Sequence, residues 1–274
     1  MSAEQQLAEF IQSYQSLMVL TGAGISTDSG IPAYRDSNGE WLHSKPILYQ
    51  DFVSAYASRQ RYWARSMLGW PRMQNNAPNR GHEVIAELQQ AGYINALITQ
   101  NVDGMHQKAG SQQVIDLHGR IDEVICLSCQ QHSSRKEWQA RLVDLNPEWQ
   151  TRVVIAKDKP DGDVEIDQAN YHDFEVPACA CGGIIKPDVV FFGESVASRV
   201  VDECKDYLQQ ARGLLVIGSS LTVFSGFRFV RWAAEQNKPI AILTYGKTRG
   251  DDLASLKLEA GCSDTLDGVT SLLT

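Results

Sequence analysis

A chain of 274 residues, 43% hydrophobic and 21% charged, has room for one large core, or a core with a smaller module, and the composition of a globular protein. Its net charge of −8 argues against nucleic-acid binding, which needs a basic face, although Arg59, Arg61, Arg65 and Arg72 make a local basic cluster. Nothing reaches the roughly 18 apolar residues of a membrane-spanning helix, and the polar start Met1–Gln6 lacks the basic and apolar regions of an export signal, so a cytoplasmic location is expected.

Residues 3–14 have the apolar spacing of a short amphipathic helix. Leu17–Thr21 is then a continuous apolar run of strand length ending in Gly22-Ala23-Gly24, the entry to a nucleotide-binding βα unit. Gly22 and Gly24 would let the backbone approach a pyrophosphate at a helix start. The third glycine of the dinucleotide fingerprint is out of place, and no acid stands about 20 residues on, so a dehydrogenase is not the natural reading and a plain structural turn stands beside it. The loop Gly30-Ile31-Pro32-Ala33-Tyr34-Arg35-Asp36 suits a cover that orders over a ligand, with Arg35 pairing with phosphate, or a solvated loop.

Helical patterns follow at 55–68, closed by Gly69-Trp70-Pro71, and at 81–90. The apolar run 93–99 ends in Thr99-Gln100-Asn101-Val102-Asp103. Polar groups at the C-terminal end of a parallel strand face the crevice where α/β proteins bind ligands. Asn101 and Asp103 suit recognition of a carboxamide; equally, Asp103 caps a helix over 104–109. His118, in Leu117-His118-Gly119, is either a core or cap histidine or a general base working near neutral pH.

Cys126-x-x-Cys129 and Cys179-x-Cys181 are separated by 49 residues. Four thiolates bind zinc tetrahedrally as a closed, structural site, against the alternative of two unrelated pairs of buried thiols. Cys204 and Cys262 read as small buried residues. Further apolar runs at 189–192, 214–217 and 240–243 alternate with helical patterns at 198–210 and 226–236. This predicts an α/β fold: a Rossmann-type parallel-sheet domain (1–35, 80–119 and 187–274) with a smaller inserted domain, a helical module at 36–79 and a zinc module at 120–186.

With these pieces in order the chain resembles the sirtuins, NAD-dependent protein lysine deacylases. The matching strings run nearly end to end: Gly22-Ala23-Gly24-Ile25-Ser26, Gly30–Arg35, Thr99–Asp103, Leu117-His118-Gly119, Lys186–Glu194 and Gly218–Val223. Segments 59–65, 69–71 and 160–164 resemble the class II branch, which includes a mitochondrial lipoamidase-type sirtuin. The resemblance implies NAD and an acyl-lysine peptide entering one interdomain cleft. It implies nicotinamide release, acyl transfer to ADP-ribose, and His118 as the catalytic base that takes a proton from the ribose hydroxyls. Gly22, Ala23, Gly24, Thr27, Asp28, Pro32, Tyr34 and Arg35 would line the cofactor loop. Gln100, Asn101, Val102 and Asp103 would hold the nicotinamide and its ribose, and Gly218, Ser219, Ser220, Thr244, Gly246 and Cys262 the adenosine half. Val190, Phe192, Gly193, Glu194, Leu221 and Val223 would pair with the acylated protein or peptide as an added strand.

The pattern departs from the family at the tight Cys179-x-Cys181 pair and at Thr244, where asparagine is usual. Tyr62 and Arg65 have the Tyr-x-x-Arg spacing of sirtuins that prefer acidic acyl groups, and they also share a helix face as packing residues would. The implied set is NAD and one structural zinc ion held by Cys126, Cys129, Cys179 and Cys181, with acyl-lysine proteins as partners and neither nucleic acid nor membrane. Alternatives to deacylation are mono-ADP-ribosyl transfer to protein and a non-catalytic NAD-responsive binding module.

Overall fold

The computed structural model describes residues 1–36, 40–42, 44–152, 155–166 and 170–273. Helix α1 (Ala3–Tyr14) starts from a capping box, the Ser2 hydroxyl accepting from Gln5 N while the Gln5 side chain returns to Ser2 N. Strand β1 (Leu17–Thr21) is buried at every position, as a central strand covered on both faces must be. Helices α2 (Tyr49–Ser54) and α3 (Tyr56–Gln74) follow. Helix α3 runs straight through Gly69-Trp70-Pro71, where the sequence suggests a stop. Gly69 serves close approach instead: a Cβ there would lie 2.4 Å from the Gly162 carbonyl oxygen. Pro71 has no N–H for the Met67 carbonyl, which accepts from Gln139 Nε2 at 2.7 Å.

The chain continues through α4 (Arg80–Gln90), β2 (Ile94–Thr99), the short α5 (Met105–Lys108) and β3 (Val114–Asp116). Then come β4 (Gly119–Cys126), β5 (His132–Ser134), α6 (Arg135–Leu145), α7 (Trp149–Arg152), β6 (Ile155–Asp158), β7 (Val164–Ile166) and β8 (Ile185–Val189). The C-terminal part is α8 (Ser198–Gln210), β9 (Leu214–Ile217), α9 (Phe224–Glu235), β10 (Ile240–Leu243), β11 (Leu256–Leu258) and α10 (Cys262–Thr270).

Six strands form one parallel sheet in the order β11-β10-β9-β1-β2-β3. Chain order reverses between β1 and β9, so a crevice opens at the C-terminal ends of those two strands. Helices α1, α4 and α10 cover one face of the sheet, around Leu7, Ile85 and Leu266; α8 and α9 cover the other, around Leu208 and Phe229. A third core, built on Phe52, Trp63, Trp138 and Phe174, unites α2, α3 and α6 with the antiparallel sheet β5-β4-β8. A two-stranded hairpin, β6–β7, packs on α3.

One expected strand is corrected. The apolar run 189–192 is not in the parallel sheet: the strand is β8, antiparallel to β4, and the expected boundary at 186/187 falls inside it. Beyond Val189 the chain leaves the sheet, with Val190 N donating to the His118 carbonyl at 2.8 Å. A short apolar run reads alike whether it fills a sheet or lines a cavity. No helix among the described residues is long and apolar enough to cross a membrane.

Candidate active site

At the switch point lies a cavity of about 860 Å³. It is walled by the turns that follow β1, β2, β9 and β10 on one side and by α3, the 189–194 segment and the β6–β7 turn on the other. The glycine turn and the turn after β9 interlock. A Cβ on Gly22 would be 2.8 Å from Ser219 Cβ, and one on Gly24 would be 2.9 Å from Gly218 Cα. Gly218 has φ +64°, and a Cβ there would meet Ile25 N at 2.4 Å. These glycines let two turns touch, with Gly24 N donating to the Gly218 carbonyl at 2.8 Å.

His118 stands at the end of β3. Leu117 N donates to the Thr99 carbonyl at 2.9 Å, and Gly119 turns the chain sharply at φ +75°, where a Cβ would lie 2.0 Å from the Asp188 carbonyl oxygen. The His118 ring is held at both nitrogens: Nδ1 is 2.8 Å from the Gln100 carbonyl oxygen and Nε2 is 2.8 Å from Ser225 Oγ. A carbonyl only accepts, so Nδ1 carries the proton and Nε2 offers its lone pair to the Ser225 hydroxyl. Burial pushes the imidazole below its ordinary pKa, against the opposing pull of the Gln100 carbonyl. The ring is therefore a neutral base at neutral pH.

Beside it, Ser26 joins the polar groups into one network. Its hydroxyl donates to Asp103 Oδ2 at 2.7 Å, and Asn101 Nδ2 donates to Ser26 Oγ and to the Gly22 carbonyl, each at 3.1 Å. Asp103 Oδ1 accepts from Met105 N, the first amide of α5, at 2.9 Å, although the N-cap residue itself is Gly104, and Asp103 stands in the cavity wall. Burial raises its pKa, while the bonds from Met105 and Ser26 lower it. Ser219 Oγ donates to Gln100 Oε1 at 2.6 Å and so fixes the side chain next to His118.

Most of the residues expected at the site meet in this cavity. Gly22, Ala23, Gly24, Thr27, Asp28, Tyr34 and Arg35 line it with Gln100, Asn101, Val102, Asp103 and His118. Gly218, Ser219, Ser220, Thr244 and Cys262 close one end; Tyr62, Val190, Phe192, Gly193, Glu194, Leu221 and Val223 line the other walls. Burial lifts the Cys262 thiol to about 12, which leaves it protonated and unreactive.

Three expected residues lie outside the wall. Pro32 sits between the lining residues Ile31 and Ala33 without joining them. Gly246 turns away, its carbonyl accepting from Lys257 Nζ at 2.8 Å. Arg65 is buried in an ion pair, its Nη2 2.6 Å from Asp163 Oδ2 while its Nε donates to the Val164 carbonyl at 2.6 Å. Sequence reasoning missed Ser26, Ser225, Asp161 and Asp163, all of them in the wall. Ser26 and Ser225 lie inside or just beyond strings already singled out, but their partners are 77 and 107 residues away.

The four cysteines converge. Cys126 and Cys181 Sγ are 3.6 Å apart and Cys129 and Cys179 Sγ 3.8 Å, with all four sulfurs within 4.8 Å of one another. Sulfurs at about 2.3 Å from a tetrahedral zinc ion are spaced about this far apart. The short Cys179-x-Cys181 pair is accommodated by a turn in which Cys179 N donates to the Gly183 carbonyl and Gly182 adopts φ +82°. Gly183 has no room for a side chain, since a Cβ would be 2.6 Å from Cys126 Sγ.

Fold and site together define a nucleotide-binding α/β protein with a zinc-fitting module and a neutral histidine in the cleft. A sequence profile of the Sir2 family matches residues 22–225, and the chain belongs to that family. It is 51% identical to NAD-dependent protein deacetylase 2 of Bradyrhizobium diazoefficiens over 96% of each chain. It is 51% identical to an NAD-dependent protein deacetylase of Xanthomonas campestris, covering 95% of this chain and 88% of the relative. Among solved structures, a Sir2 complex with a p53 peptide and NAD+ matches with a TM-score of 0.78 at 28% identity, covering 99% of this chain and 98% of the other.

Proposed function

We propose that the chain is an NAD-dependent protein lysine deacylase that removes acyl groups from lysine side chains of proteins. The relatives named above carry that activity in their names. The observation that carries it to this site is the doubly anchored, neutral His118 set in the same wall as the glycine turn and the Asn101–Asp103 network. Bound NAD supplies an activated glycosidic bond, whose cleavage releases nicotinamide and leaves ADP-ribose as acyl acceptor.

The chain's own groups divide the remaining work. Gly22, Gly24 and Gly218, having no side chains, let a diphosphate come close to the backbone of the two turns. Asn101 and Asp103 orient a carboxamide, with Ser26 holding both. His118 Nε2 accepts a proton from a hydroxyl placed where the Ser225 hydroxyl now bonds, and its Nδ1 stays on the Gln100 carbonyl throughout. Residues 190–194 and 221–223 present backbone for strand-like pairing with a peptide. The four cysteines hold one structural zinc ion, closed to chemistry because every position is a sulfur ligand. A large domain (1–35, 80–119, 187–274) and a small one (36–79, 120–186) would flank the cleft. Four thiols gathered as metal ligands accord with a reducing, cytoplasmic setting.

The test is product balance. With NAD and an acetyl-lysine peptide, the purified chain should release nicotinamide and deacetylated peptide in equal amounts, with soluble acyl-ADP-ribose. Adenine label from NAD that stays on protein, with the peptide still acetylated, would assign ADP-ribosyl transfer instead.

A further inference from the structure

The Tyr62-x-x-Arg65 spacing suggests a pocket for acidic acyl groups, and the charges around it say the reverse. Among the described residues, Arg65 and Lys159 are the cations that pair with the Asp161–Asp163 turn, with side chains 6% and 3% exposed. Both are already committed. Arg65 Nη2 sits 2.6 Å from Asp163 Oδ2, and Lys159 Nζ lies 3.5 Å from the same oxygen, 3.9 Å from Glu165 Oε1 and 2.7 Å from Ser44 Oγ. Asp163 Oδ1 accepts from Val164 N at 2.8 Å, so Asp163 is saturated as well.

Asp161 is different. It lines the cavity with Tyr34, Tyr62, Phe191 and Phe192. It accepts from Asp163 N at 3.4 Å and makes no ion pair within 4 Å among the described residues. Burial raises its pKa, and the more distant charges of Lys159 and Arg65 pull it back down. The turn that carries it is fixed. Gly162 has φ +68°, the Gly69 backbone lies against the Gly162 carbonyl, and Lys159 N donates to the Asp163 carbonyl at 3.0 Å. Neighbouring walls are aromatic, with Tyr34–Phe192 ring centroids at 5.9 Å and Tyr62–Phe191 at 5.2 Å. A largely apolar recess with one carboxylate outside any close ion pair is therefore part of the same cavity as His118.

We infer that Asp161 sets acyl specificity, admitting neutral acyl chains, favouring those that carry a hydroxyl donor, and excluding chains that end in a carboxylate. The inference rests on the deacylase reading above and names the substrate class of that same site. A second carboxylate about 5 Å from Asp161, at an effective dielectric near 20, is disfavoured by a factor on the order of 100. Arg65 gives little relief, because turning toward the newcomer would break its 2.6 Å pair with Asp163 and its bond to the Val164 carbonyl, leaving the buried Asp163 to the longer Lys159 contact alone.

One peptide sequence carrying acetyl, butyryl, 3-hydroxybutyryl or succinyl lysine tests this with NAD at about pH 8, on the alkaline side because burial raises the pKa of Asp161. Acetyl turnover by the unmodified chain reports on the deacylase reading alone. The specificity claim predicts kcat/KM for succinyl on the order of 100-fold below butyryl, with 3-hydroxybutyryl at least equal to butyryl. Asp161→Asn should raise the succinyl-to-butyryl ratio roughly tenfold or more, and Asp161→Glu should keep it low. Fluorescence anisotropy of the same peptides without turnover should rank affinities in the same order. Acetyl turnover accompanied by equally good succinyl turnover would overturn the claim and leave the deacylase reading standing. So would a ratio unmoved in folded Asp161→Asn.

Discussion

His118 carries the chemistry through what holds it rather than through its identity alone. The Gln100 carbonyl fixes the tautomer, and burial fixes the charge by pushing the imidazole below its ordinary pKa. The sign of the resulting pH dependence follows. A base must be neutral, so kcat/KM should be flat above about pH 6.5 and fall by about tenfold per unit only below the lowered pKa. A pH–rate profile inflecting on the alkaline side of 6.5 would contradict this account of the site. The base itself was legible in Leu117-His118-Gly119. Its partner Ser225 was not, because a hydrogen bond spanning 107 residues leaves no local trace in the chain. Arg65 is the opposite case: its spacing, open to a packing or an acyl-binding role, was visible, and the distant Asp163 that pairs with it was not.

Among the elements, the two cysteine turns are small but join distant parts of the chain. Cys126 ends β4 and Cys179 precedes β8; Leu127 N donates to the Ile184 carbonyl at 2.8 Å, binding one turn to the other. Chelating the metal, or replacing Cys129 with serine, should lower the melting temperature by roughly 10 °C or more, since such sites contribute folding free energy directly. Calorimetry with and without chelator checks it, alongside elemental analysis predicting one zinc per chain; an unchanged transition would remove zinc from the fold. Ligand chemistry made this cluster readable in sequence. Helix α3 was less so, because Gly69 and Pro71 look like terminators until the Gly162 carbonyl and Gln139 are seen against them. Of the short edge strands, β3 carries only partly buried positions and β11 a single buried one, Leu258, too weak a pattern to read.

For the molecule as a whole, the sequence made the parallel-sheet architecture legible because central strands such as β1, β9 and β10 are buried throughout and separated by amphipathic helices. The second core was harder to foresee. Its residues come from separated segments that meet only in three dimensions, as Trp63 meets Trp138 with ring centroids at 5.3 Å. What this architecture achieves is a cleft where turns of the parallel sheet face the 189–194 segment and the hairpin, with His118 between them. His118→Tyr tests that arrangement most directly, with NAD affinity measured by calorimetry beside turnover of an acetyl-lysine peptide. The predicted result is NAD binding within a few-fold of the parent and turnover lower by about 10²–10⁴; turnover close to the parent's would contradict it.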